Sequence, residues 1–214
     1  MHPRFSVKQI CLFAAMGIAV FIVITLMVNN AMTTGFDTWG LGLFRQGSES
    51  TYPQWLAVHF RDITTLGSNW WIIFIGVVSG LILRNLGYSS LATFIVLSIG
   101  GGILMSFALK YGFQRPRPDL LAHETKVYTS SFPSGHAMVS ALAYLALVYV
   151  VSCVSHNKGV TGILALAATL IVLFVGISRV FLAVHWPTDI IAGWVAGATW
   201  FFICCALFKT RQQG

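Results

Sequence analysis

A chain of 214 residues that is 57% hydrophobic and only 9% charged, with a mean hydropathy of +0.79, is neither a soluble globular enzyme nor a disordered polymer; soluble domains run at about 25% charged. Its Lys and Arg outnumber Asp and Glu by 13 to 6, yet no basic run resembles a nucleic-acid surface, so nucleic acid is excluded as a partner. At about 20 apolar residues per crossing the length admits roughly six spans, so residues 1–214 read as one integral-membrane domain.

The first apolar run, residues 10–28, follows Arg4 and Lys8. It is longer than a signal-peptide core and lacks a small-residue cleavage site, so it reads as a retained first helix. Residues 33–68 mix Phe36, Trp39, Tyr52, Trp55 and Phe60 with scattered charge. That composition predicts an interfacial segment rather than a crossing. The second helix centres on residues 70–83 and begins near Ile63; the others cover 88–109, 135–154, 160–177 and 187–208. The expected fold is all-α and polytopic, with six transmembrane helices and the interfacial segment between the first two.

Six short-looped helices put both termini on one side. If that side is cytoplasmic, it carries Arg4, Lys8, Arg84, Lys158, Lys209 and Arg211. Once Lys110, Arg117 and Arg179 are set aside as site residues, four basic residues remain outside, a modest positive-inside bias. Gly76-x-x-x-Gly80, Gly193-x-x-x-Gly197 and Gly100-Gly101-Gly102 read as close helix packing. Cys11, Cys153, Cys204 and Cys205 lie in apolar runs without metal-ligand spacing and read as small buried hydrophobes. His2, His59, His123 and His156 read as structural or solvated.

The polar groups gather near three helix ends. Lys110 closes the third helix in Lys110-Tyr-Gly-Phe-Gln-Arg-Pro-Arg117-Pro118, where the prolines predict a helix end near Gln114. Phe132-Pro133-Ser134-Gly135-His136 opens the fourth helix, and Ser178-Arg179 ends the fifth, followed by His185 and Asp189. A six-helix topology brings all three segments to one face. Cations near lipid are costly unless neutralised, and only Asp189 lies within the motifs to answer Lys110, Arg117 and Arg179. An anion hole follows, its two guanidiniums and one ammonium matching the oxygens of a phosphate. Ser134 and Gly135 add the N-terminus of the fourth helix, where free N–H groups favour an anion.

His185 with Asp189 four residues on forms a nucleophile–orienter pair, which leaves His136 as general acid. Pro187 suits the first position of the sixth helix and places Asp189 in its first turn. With no carboxylate cage and no Cys/His ligand spacing, neither metal nor cofactor is expected. Tyr128, Glu124 and Arg115 lie close enough in sequence to contact a leaving group. A transporter of anions or lipid phosphates would use the same cations but has no need of the His185–Asp189 pair.

Together these residues resemble the type 2 phosphatidic acid phosphatase superfamily, whose pattern is K-x6-R-P, then P-S-G-H, then S-R-x5-H-x3-D. All three parts stand here without departure, at 110–118, 133–136 and 178–189. The resemblance implies a six-helix membrane enzyme with its site on the outer face of the cell membrane, both termini being cytoplasmic. It implies a phosphohistidine on His185 supported by Asp189, with His136 protonating the departing group. Lys110, Arg117, Ser134, Gly135 and Arg179 would bind the phosphate oxygens. The implied substrate is a lipid phosphate in the bilayer: phosphatidylglycerophosphate first, undecaprenyl pyrophosphate or other lipid phosphates as alternatives.

Overall fold

Each helix starts and stops for a local chemical reason. A computed structural model describes residues 6–46, 49–50, 52–118, 130–155 and 157–213. Ser6 caps α1 (Val7–Asn29) in a reciprocal capping box with Gln9. Ser68 accepts the Trp71 N–H at the head of α4 (Asn69–Asn85), and Asn157 accepts two N–H groups at the head of α7 (Lys158–Phe181). Ala31, Gly87 and Ala183 have positive φ just past α1, α4 and α7. At each of them two N–H groups turn back onto the last helical turn, the Schellman arrangement.

Between α1 and α4 lie α2 (Thr34–Gly42), a two-residue ladder of β1 (Arg45–Gln46) with β2 (Glu49–Ser50), and α3 (Gln54–Thr65). The segment expected to lie along the surface is thus divided. Its first half is the short α2, while α3 continues into α4 as a pair bent by 42° at residues 66–68. Then come α5 (Ser89–Gly112), α6 (Gly135–Val154) and α8 (Pro187–Gln213). Among the described residues five helices are long and apolar enough to cross a membrane, six if the bent pair is one span. The protein is therefore an all-helical, multi-pass membrane protein, apart from the small ladder. Large apolar side chains such as Leu12, Leu104, Ile163 and Leu207 cover its outside, as expected where lipid is the solvent.

The bundle is organised around α6 and α8. α1 packs on α8, α8 on α6, α6 on both α5 and α7, and α4 on α5. The main apolar cluster joins α1, α4, α5, α6 and α8 through residues such as Ile72, Ile95, Leu142 and Phe201. A smaller cluster of Leu41, Ala137, Val180, Ala183 and Ile190 ties α2 to the ends of α6, α7 and α8. Phe60 stacks on Phe181 with ring centroids 4.1 Å apart, which fixes α3 against the end of α7.

The small-residue motifs make close contacts, as expected. A Cβ on Gly193 would stand 2.7 Å from the Ser134 carbonyl oxygen. One on Gly197 would collide with the Met138 carbonyl, so α8 lies against α6 backbone to backbone. Gly76 meets Ile99 across the α4–α5 contact, whereas Gly100 faces open space. Gly197→Ala should therefore cost about 1–3 kcal/mol by overpacking, while Gly100→Ala should be neutral or slightly stabilising. Unfolding midpoints in detergent check the pair; equal midpoints would refute the packing argument. Of the cysteines, Cys205 is buried and Cys153 and Cys204 half-buried, but Cys11 is exposed on α1. The expectation of burial fails for Cys11 because α1 touches the bundle along one stripe only.

Candidate active site

The first turn of α8 organises one end of the bundle. Pro187 opens the helix, and the Asp189 carboxylate reaches back to accept the Trp186 N–H at 2.9 Å. The Ser134 N–H donates to the Asp189 carbonyl at 3.0 Å, binding the start of α6 to the start of α8. The Schellman turn at Ala183 carries the chain from Arg179 to His185 in six residues. Ala183 is fully buried. Its left-handed conformation costs roughly 1–2 kcal/mol without a glycine.

His185 is 1% exposed and Asp189 fully buried. The imidazole Nδ1 lies 3.4 Å from both Asp189 Oδ2 and the Ser131 hydroxyl, and Ser131 also donates to Asp189 Oδ2. A neutral ring that donates from Nδ1 leaves Nε2 with its lone pair free, which is the nucleophilic form. Burial holds the pKa of His185 down, to about 4, against the upward pull of its Asp189 hydrogen bond. The ring is therefore neutral at physiological pH.

The expected cations converge. Lys110, in the last turn of α5, lies over Gly135: a Cβ there would stand 3.4 Å from Lys110 Cε and 3.2 Å from Ser106 Oγ. Arg117 donates from Nη1 to the Val184 carbonyl at 2.9 Å. Arg179 donates from Nη1 to Thr64 Oγ1 at 2.9 Å, so α3 and α7 meet at the site. Lys110 is within electrostatic reach of Arg117, Arg179 and Asp189. His136 is within reach of Arg179, His185, Lys110 and Arg117. Arg117 and Arg179 thus share one end of the bundle. Burial, its first cause, lowers the pKa of Arg117.

Ser134 is fully buried, but its hydroxyl makes no cap for α6 and has no hydrogen-bond partner among the described residues; the same holds for Arg179 Nε. An unmade bond on a buried polar atom costs about 1–3 kcal/mol. Gly67, at the α3–α4 bend, lies against the His136 main chain, where a Cβ would stand 3.2 Å from its carbonyl oxygen.

Asp189 lies within electrostatic reach of Lys110 and Arg117 but is paired with a fourth cation. Its Oδ1 is taken by Arg115 Nη1 at 2.5 Å, and Arg115 Nη2 holds Asp37 at 2.6 Å. Asp37, on α2, also accepts the Thr188 N–H at 2.9 Å. This corrects the reading of Arg115 as a leaving-group contact: two carboxylates already occupy its guanidinium. Among the described residues neither Lys110 nor Arg179 forms an ion pair, as an anion hole requires. The end of α5 comes at Gly112, two residues before the expected one.

Asp37, Thr64, Ser131 and Thr188 were not foreseen. Asp37 had one signal, an acid in an apolar stretch; the hydroxyls had none. His59 lies exposed on α3, beside Trp55. Glu124, Tyr128, His2, His123 and His156 lie outside the described residues.

The PAP2 superfamily model matches residues 91–213. Phosphatidylglycerophosphatase B of Bacillus subtilis is 32% identical over 157 residues, covering 70% of this chain and 73% of its own. The undecaprenyl-diphosphatase of Sulfolobus acidocaldarius is 28% identical over 59% of this chain and 57% of its own. The crystal structure of a transmembrane PAP2-type phosphatidylglycerolphosphate phosphatase from Bacillus subtilis superposes with a TM-score of 0.74 at 25% identity. That match covers 92% of this chain and 96% of the other. Aquifex aeolicus LpxE shares the fold, with a TM-score of 0.54 at 24% identity over 72% of this chain and 88% of its own. The chain thus matches these relatives in sequence and in overall shape, and it belongs to the PAP2 superfamily, as a membrane-embedded lipid phosphatase.

Proposed function

We propose that the protein removes the terminal phosphate of phosphatidylglycerophosphate through a phosphohistidine on His185, without a metal. The observation that carries this reading is the His185 ring, held at Nδ1 by Asp189, beside a cluster in which Lys110 and Arg179 lack ion-pair partners among the described residues. His185 Nε2 attacks phosphorus, the bond from phosphorus to the glycerol oxygen breaks, and His136 gives that oxygen its proton. Water then attacks phosphorus while His136 takes its proton; the P–N bond breaks, its electron pair returns to His185 Nε2, and inorganic phosphate leaves. Lys110, Arg117 and Arg179 stabilise the charge that builds on the equatorial oxygens, with Ser134 Oγ and the α6 N-terminus at Gly135. The substrate preference follows the name of the Bacillus subtilis relative, with its 73% coverage. The positive-inside bias puts both termini in the cytoplasm and the site on the outer face of the cell membrane, with α2 lying along the surface.

A lipid panel tests this. In detergent with excess chelator, the protein should release phosphate from phosphatidylglycerophosphate at the rate seen without chelator. A short-chain substrate added to intact cells should be hydrolysed as well. Loss of activity with chelator would falsify the metal-free chemistry, and a need for permeabilised cells would reverse the orientation. The archaeal relative's name supports undecaprenyl pyrophosphate as a second reading. Competition between the two lipids in one assay ranks them.

A further inference from the structure

Arg115 stands at an unspecified position of the first motif stretch and Asp37 outside all three, yet both are built into the site. Asp37 is 2% exposed and Asp189 fully buried, and Arg115 bridges them with one guanidinium nitrogen on each. Arg115 Nη1 also contacts the Thr188 hydroxyl at 2.8 Å, and its guanidinium lies 5.8 Å from the Trp186 ring centre. Asp37 in turn holds the Thr188 main chain, the residue before Asp189. The bridge thus grips Asp189 from outside the reacting groups, on the oxygen that His185 does not use.

We infer that Arg115 is a positioning residue for the phosphotransfer, oriented by Asp37, which fixes Asp189 and offsets its charge so that His185 stays neutral and nucleophilic. The inference rests on the phosphatase reading above. The physical reason is a balance of charge. A carboxylate facing His185 alone favours the imidazolium, and a guanidinium on its other oxygen reduces that pull. Charged and titratable groups face His185 from every side: Asp189 on α8, Arg179 on α7, His136 on α6, Arg117 from the chain after α5. Lys110 on α5 lies further back, facing Asp189 and His136. Arg115 and Asp37 complete the set through Asp189.

Three full-length variants in detergent test the role: R115Q, R115K and D37N, each with phosphate release measured across pH. His185 must be neutral to attack, so kcat/KM is present above its pKa and lost as pH falls through it. R115Q should lower kcat by about 10–100-fold with little change in KM. It should also move the acid limb up by about one pH unit. R115K should return the limb to the wild-type position. D37N removes a negative charge instead, so it should lower kcat without moving the limb up. Substrate ionisation is common to all four proteins and drops out of the comparison. Variants whose limbs stay put, or R115Q and D37N limbs that move together, would overturn the role and reduce the bridge to a structural clasp. Should R115Q fail to fold, D37N decides alone: unchanged kcat, or a limb moved upward, overturns the proposal. Wild-type protein that releases no phosphate sinks the phosphatase reading as well, whereas normal wild-type turnover with an unmoved R115Q limb sinks this proposal only.

Discussion

His185→Ala should abolish covalent phosphate labelling and lower turnover by about 10⁴-fold or more, the scale expected for removing an essential nucleophile. His136→Ala should lower turnover of a lipid substrate by about 10²–10⁴-fold, the usual worth of a general acid. The two losses separate by leaving group. A nitrophenyl phosphate departs without needing a proton, so His136→Ala should form the phosphohistidine from it and stall there. The expected signature is one equivalent of nitrophenol released in a burst, with labelled protein trapped behind it. His185→Ala should show neither burst nor label. The geometry behind this division is the Nδ1 contact of His185 at 3.4 Å from Asp189, which commits one nitrogen and frees the other. A burst from His185→Ala would move the nucleophile elsewhere.

Arg179→Met should trade activity for stability. The guanidinium is held at Nη1 by Thr64, while its Nε is buried without a hydrogen-bond partner among the described residues. No carboxylate among the described residues pairs with it. Removing it deletes a preorganised donor to the phosphate, worth about 10²–10³ in kcat/KM. It also relieves a crowded field, because Arg179 repels both Lys110 and Arg117. The unfolding midpoint of the substrate-free protein should therefore hold or rise, while the affinity for vanadate or inorganic phosphate falls. Thr64→Val should do less, below tenfold, since it only steers the guanidinium. Activity within tenfold of wild type in Arg179→Met would remove this residue from the phosphate site.

The helices were legible because lipid demands long apolar runs and the capping residues are local. Residues 135–154 match α6 at both ends, since Ser134 and Ser155 bound an uninterrupted run. The bend at residues 66–68 was not legible. Nothing in Leu66-Gly67-Ser68 distinguishes a break inside a span from the start of one, and only the contact of Gly67 with the His136 main chain explains it. In the site, the motif spacings anticipated which residues would meet, because each motif lies at one helix end. They were silent on the pairing of Arg115 with Asp37, 78 residues away in the chain. Ion pairs over such distances leave no local pattern. Ser131 escaped notice for the same reason, as its partner is 58 residues on.

The main-chain contact of Gly193 and Gly197 with α6 also governs how the protein meets different membranes. Helices answer a change in bilayer thickness by tilting, each according to its own hydrophobic length. With no side chains between them at these points, α6 and α8 have to tilt as a single rod. The two imidazoles hang from the same end of that rod, so their separation is insulated from the host lipid, and thinner or thicker bilayers act on the surrounding helices instead.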